Sequence, residues 1–158
     1  MKKPDPTLED FKAALPPTGA LLGLDLGTKT IGLALSDIRR SIASPLLVIR
    51  RTKFQADLVV LKREVERHAV VGLVLGLPVN MDGSEGPRVQ ATRGFARNMA
   101  STLPLPLVFW DERLSTAAVT RTLIEADASR KRRGEVVDKV AAAYILQGAL
   151  DRLARLET

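Results

Sequence analysis

Leu21-Leu22-Gly23-Leu24-Asp25-Leu26-Gly27 is a run of apolar side chains and glycine broken by a single carboxylate. After Thr28-Lys29 the chain returns to an apolar run over Thr30–Ser36, and beyond Asp37-Ile38-Arg39-Arg40-Ser41 to a third over Ser44–Arg50. Short apolar runs bounded by turn residues predict three consecutive strands, joined as an antiparallel meander. Burying an unpaired charge costs several kcal/mol, so the strand position of Asp25 demands a cation, a basic partner, backbone amides or a raised pKa. Strand alternation puts Gly23 and Gly27 on the face of Asp25, which predicts open space above its carboxylate.

The pattern changes after Arg50. Leu58, Leu61, Val65 and Ala69 recur at helical spacing, which predicts an amphipathic helix over 55–69. Val70–Leu77, closed by Pro78, is a continuous apolar run of the kind found in strands buried on both faces. A polar turn, Asn80-Met81-Asp82-Gly83-Ser84-Glu85-Gly86-Pro87, leads to a helix over 88–101, a strand over Leu105–Trp110, a helix over Ser115–Ala126 and a long helix over Glu135–Leu156. The last two are separated by the loop Asp127–Gly134, with its basic run Arg130-Lys131-Arg132-Arg133. Three strands followed by helix, strand, helix, strand, helix, helix is the order of a ribonuclease-H-like α/β fold: a five-stranded mixed sheet, three strands antiparallel and two parallel, flanked by helices. Thr7–Leu15 reads as a short helix capped by Thr7 and stopped by Pro16-Pro17. It makes residues 1–19 an N-terminal extension to a single domain over 20–158.

Composition removes many chemistries. The 158 residues, 46% hydrophobic and 27% charged, suffice for one core without metal or disulfide staples. No cysteine is present, which excludes a thiol nucleophile, an iron–sulfur cluster and a cysteine-built zinc site. The single histidine, His68, excludes sites that need several imidazoles. Any catalytic metal must then sit among carboxylates, which suit Mg²⁺ or Mn²⁺. Twenty-four Lys plus Arg, sixteen of them Arg, against eighteen Asp plus Glu point to a phosphate-bearing partner. Aromatics at 4% supply little base stacking, so the expected contacts are to the sugar–phosphate backbone. No stretch of sequence is apolar enough to cross a bilayer, and a cytoplasmic protein is expected.

Further carboxylates join Asp25. Asp111 and Glu112 follow the strand Leu105–Trp110 at the edge where loops converge. Asp138 falls on a helical face otherwise made of Ala141, Ala142, Ile145 and Ala149, where a solvated Asp would gain nothing. Carboxylates brought together from two strands and a helix repel one another unless a divalent ion intervenes, and with one they form a site able to hydrolyse phosphodiesters. The turn Gly27-Thr28-Lys29-Thr30 lacks a Walker pattern but offers backbone amides, hydroxyls and Lys29 to phosphate.

Read together, Gly23–Asp37, Gly76–Arg88, Asp111–Thr116 and Val137–Gln147 carry a resemblance covering residues 20–153. The chain resembles the YqgF/RuvX family of ribonuclease-H-like nucleases, described as Holliday junction resolvases and as nucleases of pre-16S rRNA. The resemblance implies a divalent-metal-dependent nuclease with Asp25, Glu112 and Asp138 as catalytic metal ligands, singling out Glu112 over Asp111. Nucleic-acid contacts are expected from Lys29, Asn80, Arg113, Ser115, Thr116, Arg130, Lys131, Arg132 and Arg133. Many relatives carry a basic residue where this chain has Thr30. The implied substrate is the 5′ end of precursor 16S rRNA, within ribosomal particles, or a four-way DNA junction. A monomer suits the first and a homodimer the second. Two other classes share the features: the phosphate loop of actin-like ATPases, which needs a duplicated domain, and a non-catalytic RNA-binding assembly factor, which would have no reason to gather acids beside its phosphate-binding surface.

Overall fold

The computed structural model of the chain describes residues 5–114 and 130–156, and from Arg130 through residue 138 it describes the backbone alone. The strands are β1 (Leu21–Leu26), β2 (Thr30–Ser36), β3 (Ala43–Arg50), β4 (Gly72–Leu77) and β5 (Leu107–Asp111). They form one sheet in the order β3-β2-β1-β4-β5. β1 pairs antiparallel with β2 and β2 with β3, whereas β1 and β4, and β4 and β5, are parallel. The three-strand meander and the two parallel strands expected from the sequence are both present.

Helices α1 (Leu8–Ala14), α2 (Phe54–Arg67), α3 (Pro87–Ala100) and α4 (Arg130–Arg155) cover the sheet. Alternation along β1 sends Leu22, Leu24 and Leu26 to one face, where they meet Leu58, Leu61 and Val65 of α2 and Phe95, Ala96 and Met99 of α3. Leu21 goes to the other face with Val74, Val108 and Trp110, against Ala141, Ala142, Ile145 and Leu146 of α4. Three glycines let α4 lie close. A Cβ on Gly23 would stand 2.8 Å from Leu146 Cβ and 3.1 Å from the Ala142 carbonyl, and one on Gly148 would stand 2.8 Å from Trp110 Cζ2. On Gly76 it would stand 2.5 Å from Ile145 Cδ1. The space expected above Gly23 is therefore filled by the helix, while at Gly27 the chain's own turn closes in, a Cβ there standing 3.1 Å from the Thr30 carbonyl.

Element ends differ from the sequence reading for local reasons. α2 stops at Arg67, not 69, because His68 caps it and Ala69 turns to a positive φ of 49°. β5 begins at Leu107, not Leu105, since Pro104 and Pro106 have no N–H for the ladder. The basic run Arg130–Arg133 was expected in a loop and instead opens α4, Arg and Lys being good helix formers and Gly134 a tolerable interior cost of about 1 kcal/mol. The helix expected over Ser115–Ala126 lies outside the described residues.

α1 does more than extend the chain. Thr7 and Asp10 form a reciprocal capping box, and Phe11, only 2% exposed, enters the α4-side core. Lys12 Nζ donates to the carbonyls of Leu153 and Leu156, satisfying the C-terminal end of α4. Arg40 pins the connection to β1 by donating to the carbonyls of Gly19 and Pro16. Phe11→Ala should cost about 3–5 kcal/mol in urea unfolding, as a core aromatic does. Gly23→Ala should cost about 1–3 kcal/mol by forcing α4 off the sheet.

Candidate active site

Asp25 is 3% exposed and Glu112 8%. Asp25 shares the α4 face of β1 with Gly23, and its antiparallel partner on β2 is Gly32. The parallel register runs Leu24 to Leu75, so one residue on it sets Asp25 beside Gly76. Glu112, first residue of the 3₁₀ turn Glu112–Leu114 that follows β5, reaches back over that glycine: its Oε2 lies 3.3 Å from where a Gly76 Cβ would be. β4 lies between β1 and β5, and adjacent strands are about 4.8 Å apart, so by folding back over β4 the Glu112 carboxylate comes to within about one strand spacing of Asp25 on the same face. Gly32 and Gly76 flank Asp25, and Ile145 of α4 walls the site. Gly76 was not singled out in the sequence, because its place beside Asp25 depends on the pairing register of distant strands.

The third carboxylate is on α4. That helix lies over Gly23 at Ala142 and Leu146, and its last turn lies by α1, near the start of β4, where Phe11 and Leu15 crowd Gly72. Going back along the helix therefore leads toward the C-terminal edge of the sheet, and position 138 is one turn before Ala142. The Asp138 side chain lies outside the described residues, as do those of Arg130, Lys131, Arg132 and Arg133 and the whole of Ser115 and Thr116. Among the described residues, no three acids or histidines are grouped closely enough to hold a metal.

Asp111 belongs to the other face, alternating with Leu107 and Phe109, which pack on the α2–α3 side. Its carboxylate accepts from the Arg113 backbone N–H at 2.9 Å and from Nη2 at 2.7 Å. These bonds hold its carboxyl below the usual range, and the Arg113 guanidinium is held above its own. Arg113 Nη1 continues to the Met81 carbonyl at 3.4 Å and so joins the end of β5 to the loop after β4. That loop is internally braced. Asn80 Nδ2 donates to Ser84 Oγ, which donates to Asp82, and the same hydroxyl and the Ser84 N–H keep the Asp82 carboxyl low. Met81 at its tip is 86% exposed. Lys29 is exposed on the β1–β2 turn. Asn80, Arg113 and Lys29 thus stand around the edge where Asp25 and Glu112 lie, Arg113 with its charge largely met by Asp111.

The family model described as RuvX, Holliday junction resolvase, matches residues 19–152. This chain belongs to the RuvX family. Two relatives carry the name "Putative pre-16S rRNA nuclease": one from Rhodobacter capsulatus, 65% identical over 96% of this chain and 95% of its own, and one from Paracoccus denitrificans, 68% identical over 92% of each. Among solved structures, RuvC of T. thermophilus in complex with a Holliday junction substrate superposes with a TM-score of 0.54. It is 12% identical over 88% of this chain and 98% of that one, a likeness of fold. The RuvX family match begins at residue 19, so α1 lies outside it even though Phe11 fills the core.

The depressed carboxyl of Asp111 gives a pH signature. Its ion pair stabilises the fold above the unfolded carboxyl pKa of about 3.9 and is lost as pH falls through the lower folded value. Asp111→Asn should therefore cost about 1 kcal/mol or less at neutral pH, the pair being partly exposed, with the difference from the parent in urea titrations shrinking progressively as pH falls below about 3.9.

Proposed function

We propose that this protein is a divalent-metal-dependent endonuclease that hydrolyses phosphodiester bonds in structured RNA, trimming the 5′ end of precursor 16S rRNA. The observation that carries the reading is the burial of Asp25 and Glu112 on one face of the sheet, from β1 and from the end of β5, with the Glu112 carboxylate folded back over Gly76 of the intervening β4. Two buried acids at that separation raise each other's energy when both are ionised, and a cation relieves it. An all-oxygen donor set of Asp25, Glu112 and Asp138 suits Mg²⁺ or Mn²⁺. Such an ion, when bound, supplies Lewis acidity toward the scissile phosphate.

The chain's own groups do the rest. Asp25 is fixed in a central strand and Glu112 at a strand end braced by Asp111 and Arg113, so donor positions are set before substrate arrives. Ile145 and the alanines of α4 keep bulk water from one side of the site. Lys29 and the β1–β2 turn, together with Asn80, take phosphates at the open edge, and the basic run at the start of α4 adds backbone contacts. The reading places the protein in the cytoplasm, acting within ribosomal particles as a monomer. A four-way DNA junction is the second reading, favoured by the description of the matching family. It calls for a homodimer with two sites.

Asp25→Asn keeps size and removes one charge. The variant should remain folded and bind RNA as well as the parent or better, while Mg²⁺- or Mn²⁺-dependent cleavage of a precursor 16S rRNA fragment falls by about 100-fold or more. Equal cleavage by variant and parent would overturn the assignment. Parallel assays on a synthetic four-way junction decide between the two substrates.

A further inference from the structure

The tip of β1, just past Asp25, is gripped from both sides by arginines. Arg88, second residue of α3, donates from Nη2 to the Leu26 carbonyl at 3.3 Å. Arg51, just past β3, donates from Nη1 to the Gly27 carbonyl at 2.6 Å, and its backbone N–H donates to the Lys29 carbonyl at 2.9 Å. Consecutive carbonyls of an extended chain point to opposite sides, so the two guanidiniums straddle the tip: Arg88 comes from the β4 side and Arg51 from the β2 side. The Arg51 guanidinium also lies over the Phe95 ring, 5.6 Å from its centroid, and Phe95 is itself held edge-on by Phe54.

These contacts orient the two cations without cancelling their charge. A carbonyl takes one of a guanidinium's five N–H donors, and a ring takes none. Arg93 and Arg113, by contrast, are met by carboxylates: Arg93 is flanked by Asp5 and Glu85, and Arg113 is matched by Asp111. Arg88 also has the wrong sign for its place, in a first helical turn that contains no acid, where the helix dipole favours an anion. Both arginines are exposed, as are Lys53, two residues after Arg51, and Lys29, whose carbonyl the Arg51 N–H meets.

We infer that Arg51 and Arg88 seat two backbone phosphates of the substrate strand, one at each guanidinium, next to the phosphate presented to Asp25 and Glu112. The carboxylates face α4, whereas Phe95 and therefore Arg51 belong to the α2–α3 side. The strand then crosses the C-terminal edge of the sheet, from the acids on one face to the guanidiniums on the other. This placement rests on the nuclease reading, but its test does not require cleavage.

The measurement is binding of a fluorescein-labelled RNA hairpin with a single-stranded 5′ extension, by anisotropy in EDTA over a series of KCl concentrations, with the full chain. Arg51→Gln and Arg88→Gln should each lower the slope of log affinity against log salt by about 0.7–0.9. That is roughly a five- to eightfold loss of affinity at 0.1 M salt, and the double variant should show about twice the slope change. Arg51→Lys and Arg88→Lys, which keep the charge, should restore most of the slope, with melting curves reporting whether each variant is folded. An unchanged slope in folded Gln variants would overturn this placement, as would Lys variants no better than Gln. A weaker affinity at constant slope would instead assign both residues to bracing the turn alone. Failure of the nuclease reading would appear elsewhere, as metal-dependent cleavage indifferent to Asp25→Asn, with the slopes unaffected.

Discussion

The distance between α4 and the sheet is set where the two touch with almost nothing between them. Gly23, Gly76 and Gly148 are spaced so that helix backbone, an isoleucine and a tryptophan edge occupy the room their side chains would take. Small residues on the helix, Ala141, Ala142 and Ala149, answer the glycines from the other side. This contact fixes how far α4 stands from Asp25 and gives Glu112 a place to fold back over β4. A helix further out by one methyl group would leave Glu112 over an open glycine and admit water to Asp25.

The two sides of the sheet have divided their tasks. The α2–α3 face is packed with large aliphatic and aromatic groups and carries the cations that grip the β1 tip. The α4 face trades bulk for closeness and carries Asp25 and Glu112. Asp111 and Glu112, adjacent in sequence, show the division at its sharpest, since alternation at the end of β5 sends one to a structural ion pair and the other to the candidate metal position.

Much of this was legible in the sequence. β1 and β2 end where their apolar runs end, because Gly27 and Asp37 are real turn residues, and the acid inside an apolar strand marked Asp25 without any structure. What could not be read depends on pairing between distant segments. Gly23 and Gly27 looked like open space beside Asp25, but α4 fills the first and the turn closes on the second. Gly76 is the glycine that admits the Glu112 carboxylate beside Asp25, and only the β1–β4 register reveals it. Phe11 was hidden for a similar reason: a lone aromatic in a seven-residue helix has no periodicity, and its burial comes from strands and a helix more than sixty residues away. Arg51 and Arg88 looked like ordinary surface charge, since carbonyl partners leave no trace in a one-dimensional pattern.

The docking of α1 onto the far end of α4 has a consequence for how the chain comes to be made. Lys12 and its two carbonyl partners are separated by 141 and 144 residues, and Phe11 packs in a core completed by Ala149, Leu150 and Leu153. A nascent chain exposes Phe11 well before the α4 segment that receives it has been made. Until then the aromatic and the α4 face of the sheet are both uncovered, at the stage when the growing chain is most open to chaperones and to mispairing with neighbours. High contact order of this kind makes closure late and nearly all-or-none, so the N-terminal helix acts as a latch that engages when translation has delivered the segment that receives it.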